Sequence, residues 1–263
     1  MDWLSGLVVP LLVPFVERGG IDEAALRAHL QFLHERGVST LLINGTTGEF
    51  FSLLPEERRQ VLSVVRDGFP GRVLSQVGCS GLVESLEAIR WSEALGADAI
   101  VALPPFFFAD APEEGVVRYL ISLSEAARLP FVLYNFPKHA GNAITVGMLR
   151  KIPHDGIKDS GNDTALIAAT PRYFAGTSFS VPERMKQGAV GFVSAQANAL
   201  PEQYVAMERC LATGDEASAI ACQSNIRDQH RSASGAHEIP DLKARLSGLL
   251  PGYPSGVRLP LMG

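Results

Sequence analysis

Lysine is scarce in this chain: five of its 23 basic residues are lysines, and none precedes Lys138. Cysteine is scarcer. Cys79, Cys210 and Cys222 form an odd count with no close pair, which argues against a disulfide framework or a cysteine-rich zinc site, so they read as reduced thiols. Long apolar runs are missing despite a hydrophobic content of 46%, and membrane insertion is not expected. The start, Met1-Asp2-Trp3, lacks a basic segment followed by an apolar stretch and a small-residue cleavage site, so the expected compartment is the cytoplasm. With a net charge of -5 and its late arginines Arg231, Arg245 and Arg258 dispersed, the chain has no electrostatic footprint for nucleic acid. Neither a GxGxxG segment nor a P-loop occurs, so no nucleotide cofactor is expected. The histidines His29, His34, His139, His154, His230 and His237 show no ligand-like pairing, so a metal site is not expected.

What is present is a strict alternation of strand-like and helix-like segments. Leu7 to Phe15 is a near-continuous apolar run, and Ile21 to Arg36 has helical spacing with Leu26, Leu30 and Leu33 on one face. The pattern recurs as 40–44 with 55–66, 72–77 with 83–95, 99–103 with 112–127, 131–134 with 146–152, 156–158 with 164–169, 173–175 with 181–186, and 191–194 with 201–211. Pro55, Pro112 and Pro201 suit a first helical position, and Ser180 with Glu183 fits a capping box. Eight such units, with strands apolar on both faces, indicate an α/β protein built as a (β/α)8 TIM barrel, an open doubly wound sheet being the weaker option. At 263 residues one domain suffices, with the barrel over 1–216 and a C-terminal helical appendage over 217–263, its helical part running from about Ala217 to Leu250.

In such a barrel the chemistry gathers at the C-terminal ends of the strands. Lys158, within the apolar-flanked segment Gly156-Ile157-Lys158-Asp159-Ser160, sits on the sixth strand. An amine facing a packed interior loses hydration, which favours its neutral form, a nucleophile for ketones. The alternative is a strand-end lysine whose stem packs and whose head reaches water. Tyr134 alternates inward with Val132 on the neighbouring fifth strand and can reach the same carbon as Lys158; as a lone core tyrosine it would need only a hydrogen-bond partner. After the second strand, the glycines of Gly45-Thr46-Thr47-Gly48 let the chain turn tightly, so that two hydroxyls and nearby amides can converge on a carboxylate, or can satisfy their own backbone.

At these residues the sequence resembles the dihydrodipicolinate synthase and N-acetylneuraminate lyase family of pyruvate-dependent class I aldolases and lyases. The likeness runs through Gly45-Thr46-Thr47-Gly48-Glu49, Gly96-Ala97-Asp98-Ala99, Leu133-Tyr134-Asn135-Phe136-Pro137, Gly156-Ile157-Lys158-Asp159-Ser160, Gly191-Phe192-Val193-Ser194 with Asn198, and Arg258-Leu259-Pro260-Leu261. The resemblance implies that Lys158 forms a Schiff base with pyruvate, that Tyr134 shuttles protons, that Thr46 relays them, and that Thr47 with the adjoining backbone holds the carboxylate. Gly45, Val193, His139 and Gly176 complete the expected substrate-binding set. Pyruvate or another 2-oxo acid is the implied substrate, no cofactor is implied, and a homodimer or homotetramer is the implied assembly.

Departures from the pattern narrow the reading. Synthase members carry a tyrosine in the loop after the fourth strand that completes a proton relay across a dimer, but here the segment is Pro105-Phe106-Phe107-Phe108. Synthases also place an arginine after the Tyr-Asn-X-Pro motif for the aldehyde substrate's carboxylate, where this chain has His139 beside Lys138, without a bidentate guanidinium. Phe50, Phe51, Pro55 and Arg58 stand where lysine-regulated synthases use small polar and histidine residues, so feedback control by lysine is not expected. The expected activity is therefore cleavage of a 2-oxo-3-deoxy sugar acid or related 4-hydroxy-2-oxo acid to pyruvate and an aldehyde. Dihydrodipicolinate synthesis is the alternative, followed by a dehydratase using the same imine and a catalytically silent pyruvate-binding protein.

Overall fold

The computed structural model describes residues 2–17, 19–229 and 237–262. Its eight strands are β1 (Gly6–Pro10), β2 (Thr40–Ile43), β3 (Arg72–Gln76), β4 (Ala99–Ala102), β5 (Phe131–Asn135), β6 (Gly156–Asp159), β7 (Tyr173–Ala175) and β8 (Gly191–Val193). They are hydrogen-bonded in sequence order and close into a barrel, making the fold a (β/α)8 TIM barrel with additional C-terminal helices. Strands such as Ala99-Ile100-Val101-Ala102 are buried along their whole length, as a parallel sheet covered by helices requires. No described helix is long and apolar enough to cross a membrane.

The chain divides into two compact units. One comprises Met1–Gly6 with Leu74–Val193 and contains β4 through β8, with α3 (Leu82–Ala94), α4 (Glu113–Ala126), α5 (Pro137–Ala140), α6 (Val146–Leu149) and α7 (Val181–Lys186). Its core includes Ile100, Leu120, Leu133 and Ile157, all fully buried. The other comprises Leu7–Val73 with Ser194–Gly263 and contains α1 (Glu23–Glu35), α2 (Pro55–Gly68), α8 (Pro201–Ala212), α9 (Glu216–Gln229) and α10 (Glu238–Leu249). Leu26, Leu30 and Leu33, the predicted inner face of the first helix, are buried completely there, and α9 packs along α8.

Several boundaries differ from those expected, each for a local reason. Strand pairing from Leu7 ends at Pro10 and does not reach Phe15. The Leu12 N–H donates to the Asn198 side chain at 3.2 Å, and Pro14 has no N–H to give, so the chain leaves the sheet while its side chains stay buried. The first helix begins at Glu23 rather than Ile21, because Asp22 caps it by accepting from the Ala25 N–H at 3.0 Å. Pro112 is the cap before α4 rather than its first residue. The capping box expected at Ser180 does not form: its hydroxyl pairs with Thr177 Oγ1 at 3.1 Å. Thr164–Ala169 is a 3-10 helix, and α6 begins at Val146 as expected but ends at Leu149 rather than Ile152. The expected helical stretch from Ala217 to Leu250 is two helices, α9 and α10. The residues between them, with His230 and Arg231, lie outside the described residues.

Candidate active site

Parallel pairing of β5 with β6 puts Tyr134 directly opposite Lys158 and Asn135 opposite Asp159. Side chains alternate along a strand, so Tyr134 and Lys158 share one side of the sheet and Asn135 and Asp159 the other. Tyr134 is 1% exposed and Lys158 7%. The lysine ammonium position, Nζ, lies 3.7 Å from the centroid of the Tyr134 ring. Among the described residues no carboxylate forms an ion pair with Lys158. Lys243, the other buried lysine, is treated differently: its Nζ meets Glu49 Oε1 at 2.5 Å, with both side chains wholly buried. Lys158 thus faces an aromatic ring where Lys243 faces a carboxylate.

On the opposite side of the same strands, Asp159 holds the pair in register. Its Oδ1 accepts from Asn135 Nδ2 at 2.9 Å and from the Gly161 N–H at 2.7 Å. Its Oδ2 accepts from the Asp163 N–H and the Tyr173 hydroxyl, each at 2.8 Å. Asn135 Oδ1 in turn accepts from the Ile144 N–H at 2.9 Å. Burial, and then the Asp159 charge, push the Tyr173 phenol well above the ordinary tyrosine range and keep it a donor. The Gly176 N–H donates to the Asp159 carbonyl at 2.7 Å, and a Cβ at Gly176 would collide with Ser160 Oγ and with that carbonyl. Packing of β7 on β6 therefore accounts for the glycine at 176. Val193 is the last residue of β8 and is buried.

His139 lies on α5 just beyond β5, largely exposed, with its ring edge-on to Phe136 at 4.3 Å between centroids. Phe136 stacks on Tyr134 at 5.9 Å, so His139, Phe136 and Tyr134 form a continuous aromatic row leading to Lys158. Partial burial, and secondarily the Lys138 charge, hold the His139 imidazole below its ordinary range, so it is neutral near pH 7. The loop before α4 projects Phe107 and Phe108, which are 85% and 68% exposed with rings 5.0 Å apart. Phe107 has a φ of 102°, a conformation that non-glycine residues rarely adopt. Asn142 clasps this loop, donating from Nδ2 to the carbonyls of Pro105 at 2.8 Å and Phe108 at 2.9 Å.

In the other unit, Gly45 is extended and Thr46–Gly48 forms a 3-10 turn, with the Gly48 N–H donating to the Gly45 carbonyl at 3.1 Å. Thr46 and Thr47 are half-buried. A Cβ at Gly48 would stand 3.0 Å from the Leu11 carbonyl, so a side chain there would press the turn against the backbone after β1. Glu49 follows in the left-handed region, at φ 55° and ψ 36°.

Asn135, Asp159 and Glu49 lie inside motifs visible in the sequence, yet only contacts made in the fold give them their roles. Lys243 carried a readable signal: on α10 it shares the apolar spacing of Ile239, Leu242 and Leu246, where a charge needs a buried partner. Asn142 gave none, because its partners are carbonyls far away in sequence.

The closed (β/α)8 barrel carries a buried lysine on its sixth strand in register with a tyrosine on the fifth, and the family that its sequence matches makes the protein an enzyme of the class I aldolase and lyase type. The chain belongs to the dihydrodipicolinate synthetase family, whose model matches residues 3–262. It is 31% identical to the 4-hydroxy-tetrahydrodipicolinate synthase of Laribacter hongkongensis, a similarity covering 98% of this chain and 92% of that protein. Similarity to the 2-dehydro-3-deoxy-phosphogluconate/2-dehydro-3-deoxy-6-phosphogalactonate aldolase of Sulfurisphaera tokodaii is 27%, over 97% of this chain and 91% of the relative. Among solved structures, the sialic acid aldolase of Ruminococcus gnavus superposes with a TM-score of 0.89 at 28% identity, covering 99% of this chain and 91% of that one.

Proposed function

We propose that this enzyme forms an imine between Lys158 and a 2-oxo acid and uses it to cleave a 2-oxo-3-deoxy sugar acid, or a related 4-hydroxy-2-oxo acid, to pyruvate and an aldehyde. The observation that carries the reading is the buried Lys158 amine, lacking a carboxylate and set against the Tyr134 ring. The amine attacks the C2 ketone and water leaves. The protonated imine then accepts the electron pair of the C3–C4 bond while the 4-hydroxyl gives up its proton and becomes the aldehyde carbonyl. The enamine takes a proton at C3, and hydrolysis of the imine releases pyruvate. Tyr134 moves protons at the hydroxyl of the first adduct, Thr46 relays them, and Thr47 with Gly45 holds the substrate carboxylate. Val193, Gly176 and His139 border the substrate.

Sugar-acid cleavage is preferred because Phe106-Phe107-Phe108 offers no hydroxyl for a synthase relay and His139 stands where a synthase has arginine. Relatives named as aldolases of deoxy sugar acids and of sialic acid agree with this choice. Dihydrodipicolinate synthesis is the second reading, favoured by the name of the 31%-identical relative. We further propose a homodimer or homotetramer, in which a second copy covers Phe107 and Phe108.

A panel of sugar-derived 2-oxo acids assayed for pyruvate release, beside condensation of aspartate semialdehyde with pyruvate, separates the two readings. At least one sugar acid is expected to be cleaved with the higher kcat/KM. Loss of a charge-assisted carboxylate partner costs about 1.5–3 kcal/mol, or roughly ten- to a hundredfold, against the synthase reaction. Borohydride with pyruvate is expected to add mass to Lys158. An unlabelled Lys158 removes the imine mechanism, and efficient dihydrodipicolinate formation with little sugar-acid cleavage transfers the assignment to the synthase.

A further inference from the structure

Glu49 joins two 3-10 turns, Thr46–Gly48 and Phe50–Ser52, in the left-handed conformation that non-glycine side chains disfavour. Its N–H donates to the Thr46 carbonyl at 3.0 Å, and its own carbonyl accepts from the N–H and the hydroxyl of Ser52 at 2.8 and 2.9 Å. Its carboxylate is wholly buried and bonded at both oxygens: Oε1 accepts from Lys243 Nζ at 2.5 Å, and Oε2 from the Arg258 backbone N–H at 2.9 Å. Lys243 is equally buried, donates also to the Gly256 carbonyl at 2.9 Å, and lies 4.2 Å from the centroid of the Phe15 ring. The Arg258 guanidinium grips Glu57 with both terminal nitrogens and donates to the carbonyls of Ser52 and Gly19. Helix α10 and the tail after it thus bind Glu49, two residues beyond Thr47, through an ion pair and a backbone hydrogen bond.

A buried ion pair is a poor means of adding stability, since an apolar pair of similar volume commonly does as well or better. What two directional donors on one carboxylate do supply is a fixed backbone geometry at Glu49, and through the Glu49 N–H to the Thr46 carbonyl, at the hydroxyl turn. We propose that Glu49, clamped by Lys243 and the Arg258 N–H, is a positioning residue for the Thr46–Thr47 turn, so that α10 and the C-terminal tail set the affinity of the enzyme for the carboxylate of its 2-oxo acid. This rests on the assignment of that turn as the carboxylate holder.

The test is the pyruvate concentration giving half-maximal borohydride trapping at Lys158, measured with KM and kcat for cleavage. The paired variant Glu49→Leu/Lys243→Met replaces the ion pair by apolar groups, and Glu49→Gln keeps the side chain's shape while removing the charge and setting an NH2 donor against Lys243 Nζ or the Arg258 N–H. Both are expected to raise half-saturation and KM about tenfold or more, the worth of a hydrogen bond to a charged group, while maximal trapping is retained and kcat changes less than about threefold. Thermal midpoints of the variants are followed in parallel. A folded paired variant with unchanged half-saturation overturns the proposal; if that variant does not fold, unchanged half-saturation in Glu49→Gln does so. If the unaltered enzyme shows no pyruvate-dependent label at Lys158, the imine reading fails. Normal labelling with variants indistinguishable from the parent sinks the positioning role alone.

Discussion

Lys158 and Lys243 are the two buried lysines of this chain, and their surroundings separate two uses of the same side chain. Burial, opposed by the Glu49 charge, draws the Lys243 amine below its ordinary range, and two acceptors consume its protons. Lys158 has the face of Tyr134 instead. If Tyr134 is the proton shuttle, its hydroxyl and not its ring carries the rate. Tyr134→Phe should therefore retain the ring against Nζ but slow imine formation, read as the rate of borohydride trapping, while kcat for cleavage falls about 10²-fold or more, the usual worth of a positioned acid–base group. Steady-state rates of the variant decide the matter, and an unchanged kcat removes Tyr134 from the chemistry.

At the scale of elements, β5 and β6 act as one piece: the Tyr134–Lys158 pair is registered by the pair behind it, Asn135 and Asp159. The loop over Phe106–Phe108 is built on the opposite principle. Two large rings stand in solvent and Phe107 holds a backbone conformation costing on the order of 1–3 kcal/mol, while Asn142 fastens the loop ends. An exposed apolar cluster of this kind marks an interaction surface. Light scattering at micromolar concentration should report at least twice the 28.2 kDa of one chain, and Phe107→Asp should shift the population toward monomer and lower turnover with it. A fully active monomer would refute the proposed covering of this loop by a second copy.

At the scale of the whole molecule, stability is tied to pH through His29. This residue of α1 is fully buried, edge-on to Tyr253 at 5.5 Å, and burial lowers its pKa to about 3 against the partial opposition of the Asn198 backbone. The unfolded chain binds this proton near pH 6.5, and the folded chain only near 3. Between those values the unfolded state holds the extra proton, so stability is complete above about pH 6.5 and falls with acidification, by up to about 1.4 kcal/mol per pH unit from this group. In His29→Leu the thermal midpoint should vary less steeply between pH 6 and pH 4 than in the parent. Parallel slopes would assign the acid sensitivity to other groups.

Local chemistry alone determined the barrel class, the order of its eight units and the motifs bearing Lys158, Tyr134 and Thr46–Thr47, because apolar periodicity and glycine placement are written in neighbouring residues. It also misplaced the end of β1 and the cap at Ser180, where a partner distant in sequence or a competing hydroxyl redirected the backbone. Tertiary structure alone decided which lysine is neutralised by a carboxylate and which is not, and that Arg258, 209 positions from Glu49, holds the residue behind the hydroxyl turn. An ion pair or a buried carboxylate's set of donors joins positions that no local pattern relates, and only a fold that brings them within 3 Å makes them one site.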